Sequence, residues 1–133
     1  MKAFTVYQPY AYAIIAGLKL NETRPRRTNI RGRVAVHAAK GNAQSVTMAA
    51  ALALPDNAIL HCGAVLGTVE IVDCVHVEEI IHTLSERERL LGDYSPGRFA
   101  WVLRKPVAFS TPVPAKGKQG WWNWDENSGH EAP

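Results

Sequence analysis

Gly63-Ala-Val-Leu-Gly-Thr-Val-Glu-Ile-Val-Asp-Cys-Val-His-Val77 carries the strongest strand signal in the chain. Its β-branched residues alternate, and an extended backbone turns successive side chains to opposite faces. Val65, Gly67, Val69, Ile71 and Asp73 then share one face, and Leu66, Thr68, Glu70, Val72 and Cys74 the other. With Val69 and Ile71 turned to the core, Glu70 stands on the opposite side. A carboxylate inside an apolar strand is costly if buried alone, so Glu70 is either half exposed or put to use.

Shorter elements surround this strand. Downstream, Glu78 to Leu91 holds helical material, with Ser85-x-x-Glu88 as a capping box. Phe99–Leu103 and Val107–Phe109 read as strands, and Pro112 and Pro114 as breaks in the ladder. Lys116-Gly-Lys-Gln-Gly120 is a loop, and Trp121 to Trp124 closes the fold. Upstream, Phe4–Tyr7 opens as a strand. Pro9 suits the first turn of a helix through Ala11, Ile14 and Ile15, which Gly17 stops. Leu20–Arg24 can extend before Pro25, and Val34–Ala38 alternates as a strand. Asn42–Leu54 is alanine-rich and helical up to Pro55. Short strands and two or three helices in irregular order predict one α+β domain, residues 1–133, or a helix-decorated barrel.

A chain of 133 residues with 47% hydrophobic content can bury a core. No apolar run reaches the roughly 18 residues of a membrane span. Met-Lys-Ala-Phe-Thr-Val at the N-terminus lacks a signal-peptide pattern. Two cysteines, Cys62 and Cys74, are too few for a disulfide framework and show no zinc spacing. The expectation is a reduced, cytoplasmic protein with no metal and no cofactor. The five histidines form no ligand pattern, and His37 inside a strand reads as structural. No Walker loop or Gly-x-Ser-x-Gly elbow appears. Net charge is only +3, yet Arg24, Arg26, Arg27, Arg31 and Arg33 are clustered, with Lys116 and Lys118 near the other end. Such clusters are either a solvated face or a phosphate-contacting stripe.

One loop stands out: Gly17-Leu-Lys-Leu-Asn-Glu-Thr-Arg-Pro25 packs Lys19, Glu22 and Arg24 into six residues past a helix stop. Chain reversal alone does not need three charges of mixed sign. A site gripping a polar, planar or anionic ligand would.

These residues complete a set of motifs that resembles the ASCH domains of the PUA-like superfamily. The set is Gln8-Pro9-Tyr10-Ala11; Gly17-x-Lys19-x-x-Glu22-x-Arg24; Arg31-Gly32-Arg33 with Val36-His-Ala-Ala-Lys40; Gly67-Thr-Val-Glu70; Phe99-Ala-Trp101-Val-Leu; and Pro114-x-Lys116-Gly-Lys-Gln-Gly-x-Trp122. The resemblance implies a small PUA-like β-barrel with flanking helices and a cleft beside the first helix. It also implies a ligand that is RNA or a nucleoside. Its branches include RNA-binding modules, a ribonuclease, and amidohydrolases that deacylate N4-acylated cytidine.

In the amidohydrolase branch the lysine of Gly-x-Lys is catalytic, and Lys19 occupies that position. The branch places its glutamate in a Thr-x-Glu strand, here Thr68-Val-Glu70, and Glu70 is expected to pair with Lys19. The branch carries threonine three residues after the lysine, where this chain has Glu22. Thr23 faces the other way and does not replace it. Glu22 then activates water, accepts from a base's amino group, or braces Arg24. The expected catalytic set is Lys19, Glu22 and Glu70. The expected binding set is Gln8, Tyr10, Arg24, Lys40, Lys116, Lys118 and Trp121, with no metal. Gln8 reads a base edge or caps the helix, and Tyr10 and Trp121 stack on a base or pack the core. The leading expectation is an amidohydrolase of a modified nucleoside, and the alternative is an RNA-binding module or ribonuclease using the same cleft.

Overall fold

Apolar side chains at alternate positions line both faces of one sheet. The computed structural model describes residues 1–42 and 53–127. The elements run β1 (Lys2–Gln8), α1 (Tyr10–Ile15), β2 (Asn21–Arg24), β3 (Gly32–Asn42), β4 (Ala64–His76), α2 (Val77–Ile80), a 3-10 turn (Ile81–Thr83), α3 (Glu86–Leu90), β5 (Phe99–Pro114) and β6 (Trp122–Asn123). Phe4 and Val6 of β1 and Val34, Val36 and Ala38 of β3 face one core, together with Val69, Ile71, Leu103 and the α1 residues Ala11 and Ile14. Ala3 and Ala35, one position out of phase, face a second core with Val65, Val113, Trp122 and Trp124. The expected helix over Asn42–Leu54 lies, from 43 to 52, outside the described residues.

The strand order is β2-β5-β4-β3-β1-β6. Among the described strands only β1 and β3 run parallel, and α1 and β2 lie in the crossover between them. Among the described residues β2 pairs with β5 alone and β6 with β1 alone. The ladder therefore stays open, and the expected closed barrel is corrected to a mixed six-stranded sheet with short helices, an α+β fold.

The long strands depart from strict alternation. Leu66 and Cys74 join the same core as Val69 and Ile71, against the predicted division of faces. The register explains it. His37 opposes Val65 while Val36 opposes Gly67, and Leu103 opposes Ile71 while Val102 opposes Asp73. In each case β4 carries one extra residue, a bulge that reverses the phase.

A second correction concerns β5, which runs unbroken where two short strands and a proline stop were expected. Val113 pairs with Val65 and Pro114 with Ala64. The Ala115 N–H bonds the Gly63 carbonyl at 3.1 Å. Amide directions alternate along a strand, so the nitrogen of Pro114, next to Ala115, faces away from β4. Pro112 lies between Ala108 and Val113, where the register with β4 shifts. Among the described residues β2 covers the far side of β5 only from Phe99 to Val102, so no described strand there calls on the missing N–H groups. No helix among the described residues is long and apolar enough to cross a membrane.

Candidate functional site

Lys19 owes its place to the end of α1. Gly17, at φ +77°, takes the left-handed turn, and the amides of Leu18 and Lys19 both bond the Ala13 carbonyl, at 2.9 and 3.0 Å. The turn folds the lysine side chain inward until the residue is 2% exposed. Its Nζ donates to the Leu91 carbonyl at 2.6 Å and lies 3.8 Å from Glu22 Oε1. The Tyr10 ring centroid is 5.9 Å from the same nitrogen. Burial pushes the amine below its ordinary range; Glu22 and Glu88 oppose this, while Arg24 and Arg98 add to it. Gly92 belongs to this packing, because a Cβ there would meet the Tyr94 ring at 2.8 Å and Lys19 Nζ at 3.3 Å.

Glu22, also buried, carries the charge outward. Arg24 grips its Oε2 through Nε at 2.9 Å and through a terminal nitrogen at 2.8 Å. The guanidinium also donates to the Thr5 carbonyl at 2.9 Å and lies 5.4 Å from the Trp101 ring centroid. Trp121 stacks on Trp101 with centroids 5.3 Å apart and planes 13° off parallel. Its Nε1 donates to Thr28 Oγ1 at 3.2 Å. Lys19, Glu22, Arg24, Trp101 and Trp121 thus form one continuous row leading from the interior to the half-buried Trp121.

A further residue belongs at the buried end, Glu88, whose place in the sequence points to a cap. Ser85 Oγ accepts from the Glu88 amide at 3.1 Å, which completes half of the expected capping box. The Glu88 carboxylate does not return to Ser85. It accepts from the amides of Leu20 at 2.7 Å and Asn21 at 3.3 Å, and from the Tyr94 hydroxyl at 3.1 Å. The Tyr94 oxygen in turn accepts from Asn21 Nδ2 at 3.2 Å. Burial, and then the Glu88 charge, raise the Tyr94 phenol above its ordinary range. One signal did point to Glu88: it lies three residues before apolar Leu91, so both face one side of the helix.

The other expected site residues are distributed differently. Glu70 does not pair with Lys19. Its carboxylate lies 3.8 Å from Arg33 and 4.0 Å from Lys105. Arg33 sits directly across from it on β3, on the face that carries Ala35. The alternation that turns Val69 and Ile71 toward α1 turns Glu70 away from it. Gln8 is buried: its Nε2 donates to the His61 carbonyl at 2.7 Å, and its Oε1 accepts from the Tyr12 amide at 2.8 Å. The bond to Tyr12, in the first turn of α1, is the one that the capping alternative calls for. Tyr10 is half-buried and packs against the α1-side core and against a small cluster of Ala13 and Leu91. Lys40, Lys116 and Lys118 are exposed.

His37 supports the loop that carries Lys116 and Lys118. Its Nε2 bonds the Ala115 carbonyl at 2.7 Å, and its Nδ1 lies 3.2 Å from Thr5 Oγ1. That hydroxyl also reaches the Lys118 carbonyl at 3.3 Å. Among the described residues no cluster of three or more His, Cys, Asp or Glu side chains is arranged to hold a metal.

A family model described as the ASCH domain matches residues 4–113. Among solved structures, the ASCH protein from Zymomonas mobilis is similar, with TM-score 0.59 and 16% identity over 95% of this chain and 88% of that one. A tyrosine-to-phenylalanine mutant of the Zymomonas mobilis protein gives TM-score 0.58 at 18% identity, over 94% of this chain and 90% of its own. A serine-to-alanine mutant gives 0.56 at 18%, over 94% and 88%. At such identities the likeness concerns the fold alone. No curated protein matches the chain.

Proposed function

The chain belongs to the ASCH domain family, and from that premise we propose that it hydrolyses the amide of an N4-acylated cytidine or a related modified nucleoside. The observation that carries this reading is the Lys19 amine, desolvated, bonded to the Leu91 carbonyl and 3.8 Å from the Glu22 carboxylate, with the Glu88 charge also acting on it. An amine lowered by burial supplies a neutral base nearer to neutral pH. Lys19 takes a proton from a water whose oxygen bonds to the acyl carbon. The bond from that carbon to N4 then breaks, and the Lys19 ammonium returns its proton to N4. The products are a carboxylic acid and the free amino group of cytidine. Glu22, between Lys19 and Arg24, holds the water or the departing amine. Glu70 has no part in this reading, since its partners are Arg33 and Lys105.

The test is to incubate the protein with N4-acetylcytidine and a panel of longer acyl groups and follow the ultraviolet absorbance. Turnover by the wild type, lost in a folded Lys19→Ala variant, is the expected result. Intact substrate across the panel after long incubation rejects the proposal.

A second reading, an RNA-binding module, has its own support. The Thr28–Trp121 bond brings the loop after β2 and the loop before β6 together, and Thr5 of β1 holds the latter through the Lys118 carbonyl. Arg26, Arg27, Lys116 and Lys118 are exposed on those loops. This hypothesis calls for RNA affinity that falls steeply with salt, and affinity indifferent to salt counts against it.

A further inference from the structure

The turn from Gly17 to Leu20 is tied at its start to the Ala13 carbonyl and at its end to β5, whose Leu103 amide bonds the Leu20 carbonyl at 2.9 Å. The Lys19 side chain reaches further, to α3, which also holds the Leu20 and Asn21 amides. The Glu88 carboxylate takes the amides of the two residues that follow Lys19, and Leu91, at the end of the same helix, supplies the carbonyl that the Lys19 amine meets. Two contacts from one helix, three residues apart, thus hold the backbone and the side-chain tip of the same turn.

We infer that Glu88 is the positioning residue of the Lys19 amine, its carboxylate clamping the Leu20–Asn21 backbone to α3 so that Lys19 Nζ is held between the Leu91 carbonyl and Glu22. The inference rests on the hydrolase reading for its activity readout; its geometry stands independently. Glu88 is buried, 4% exposed, and its carboxylate accepts from two amides and the Tyr94 hydroxyl. A neutral acceptor would serve a purely structural clamp. A carboxylate adds a negative charge near Lys19, where it favours the ammonium form against burial. The charged and titratable groups around the amine are Glu22 and Arg24 from β2, Glu88 from α3, Tyr94 and Arg98 from the connection to β5, and Tyr10 from α1.

The experiment compares wild type, Glu88→Gln and Glu88→Asp in full-length protein. Two quantities are read: the NMR titration of Lys19, and the pH profile of kcat for N4-acetylcytidine. Glu88→Gln keeps the size and removes the charge. Its Lys19 titration and the acid limb of its kcat profile move to lower pH, and the plateau falls by about tenfold to 10²-fold as the amine shifts. Glu88→Asp restores the charge, so the titration returns toward wild type while the plateau stays reduced. A folded Glu88→Gln protein with an unmoved Lys19 titration overturns the inference. If Glu88→Gln does not fold, amide exchange in the wild type decides. The Leu20 amide, bonded to Glu88, exchanges slowly if the clamp exists, and exchange at the rate of an open amide refutes it. A wild type inactive on every acylated cytidine rejects the hydrolase reading alone, and the Lys19 titration still judges Glu88.

Discussion

Glu88 and Glu70 are two carboxylates serving opposite faces of one sheet. Glu70 sits on the longest apolar strand signal and is conspicuous in the sequence. In the structure its side chain is 33% exposed and meets Arg33 and Lys105 at 3.8 and 4.0 Å, contacts too long for strong hydrogen bonds. Exposed pairs of this kind contribute about 0–1 kcal/mol. Glu88 lies in a five-residue helix and looks like half a cap. It is buried, with hydrogen bonds down to 2.7 Å, beside a lysine that is itself buried. A charge that stands out in a sequence marks what is costly to bury. A charge that matters can lie in ordinary helical company, and only the long-range partner distinguishes it.

The sharpest way to break this contrast is through activity. Lys19→Ala is expected to lower hydrolysis of N4-acetylcytidine by about 10²- to 10⁴-fold, the usual worth of a general base. Glu70→Gln should stay within about threefold of wild type, and a large loss there would restore Glu70 to the site. Stability gives the next test. Glu88→Ala leaves two amides and a phenol without their acceptor and is expected to cost about 2–4 kcal/mol in urea unfolding, against less than about 1 kcal/mol for Glu70→Ala. Equal costs would erase the distinction.

Gly92→Ala tests how tightly the Lys19 side is packed. The new methyl group would press on Tyr94 and Lys19, with an expected cost of about 1–3 kcal/mol and a parallel fall in kcat. The smallest effect is a pH dependence on the opposite face. Burial holds the His37 imidazole below its usual 6.5. Its folded form therefore binds fewer protons than the unfolded chain. The stability this gives is fully present above about pH 6.5 and is lost as pH falls through the lower folded value. Acid unfolding of His37→Gln should lack that component, and an unchanged profile would show that the histidine does not contribute it.

Much of the frame was legible in local signals. The helix at Tyr10–Ile15, its stop at Gly17, the β2 strand before Pro25 and the Ser85 cap all follow from residue chemistry within a few positions. The bulges in β4 were not legible, because an extra residue is defined only against the partner strand. The same blindness let Pro112 and Pro114 pass for strand ends: a proline is compatible with a ladder when its nitrogen faces outward, and the sequence does not state which side of β5 is covered. The convergence of Lys19 with Glu22 follows from short spacing. The convergence of Lys19 with Glu88 and Leu91 spans about seventy positions and depends on how α3 docks. The barrel was expected from the family resemblance, and the pairing of β2 and β6 with single partners replaced it.

The two prolines near the end of β5 have a consequence for how copies of the protein meet. An uncovered strand margin is a template on which another molecule can lay a strand of its own, the first step of edge-to-edge aggregation. Among the described residues no strand pairs with β5 beyond Val102 on the side away from β4, and Pro112 and Pro114 carry no N–H groups, so an incoming strand would find fewer donors there. Replacing both with valine or threonine would leave the fold able to form and give the margin a regular row of donors. Concentrated solutions of that variant should turn cloudy before those of the natural chain.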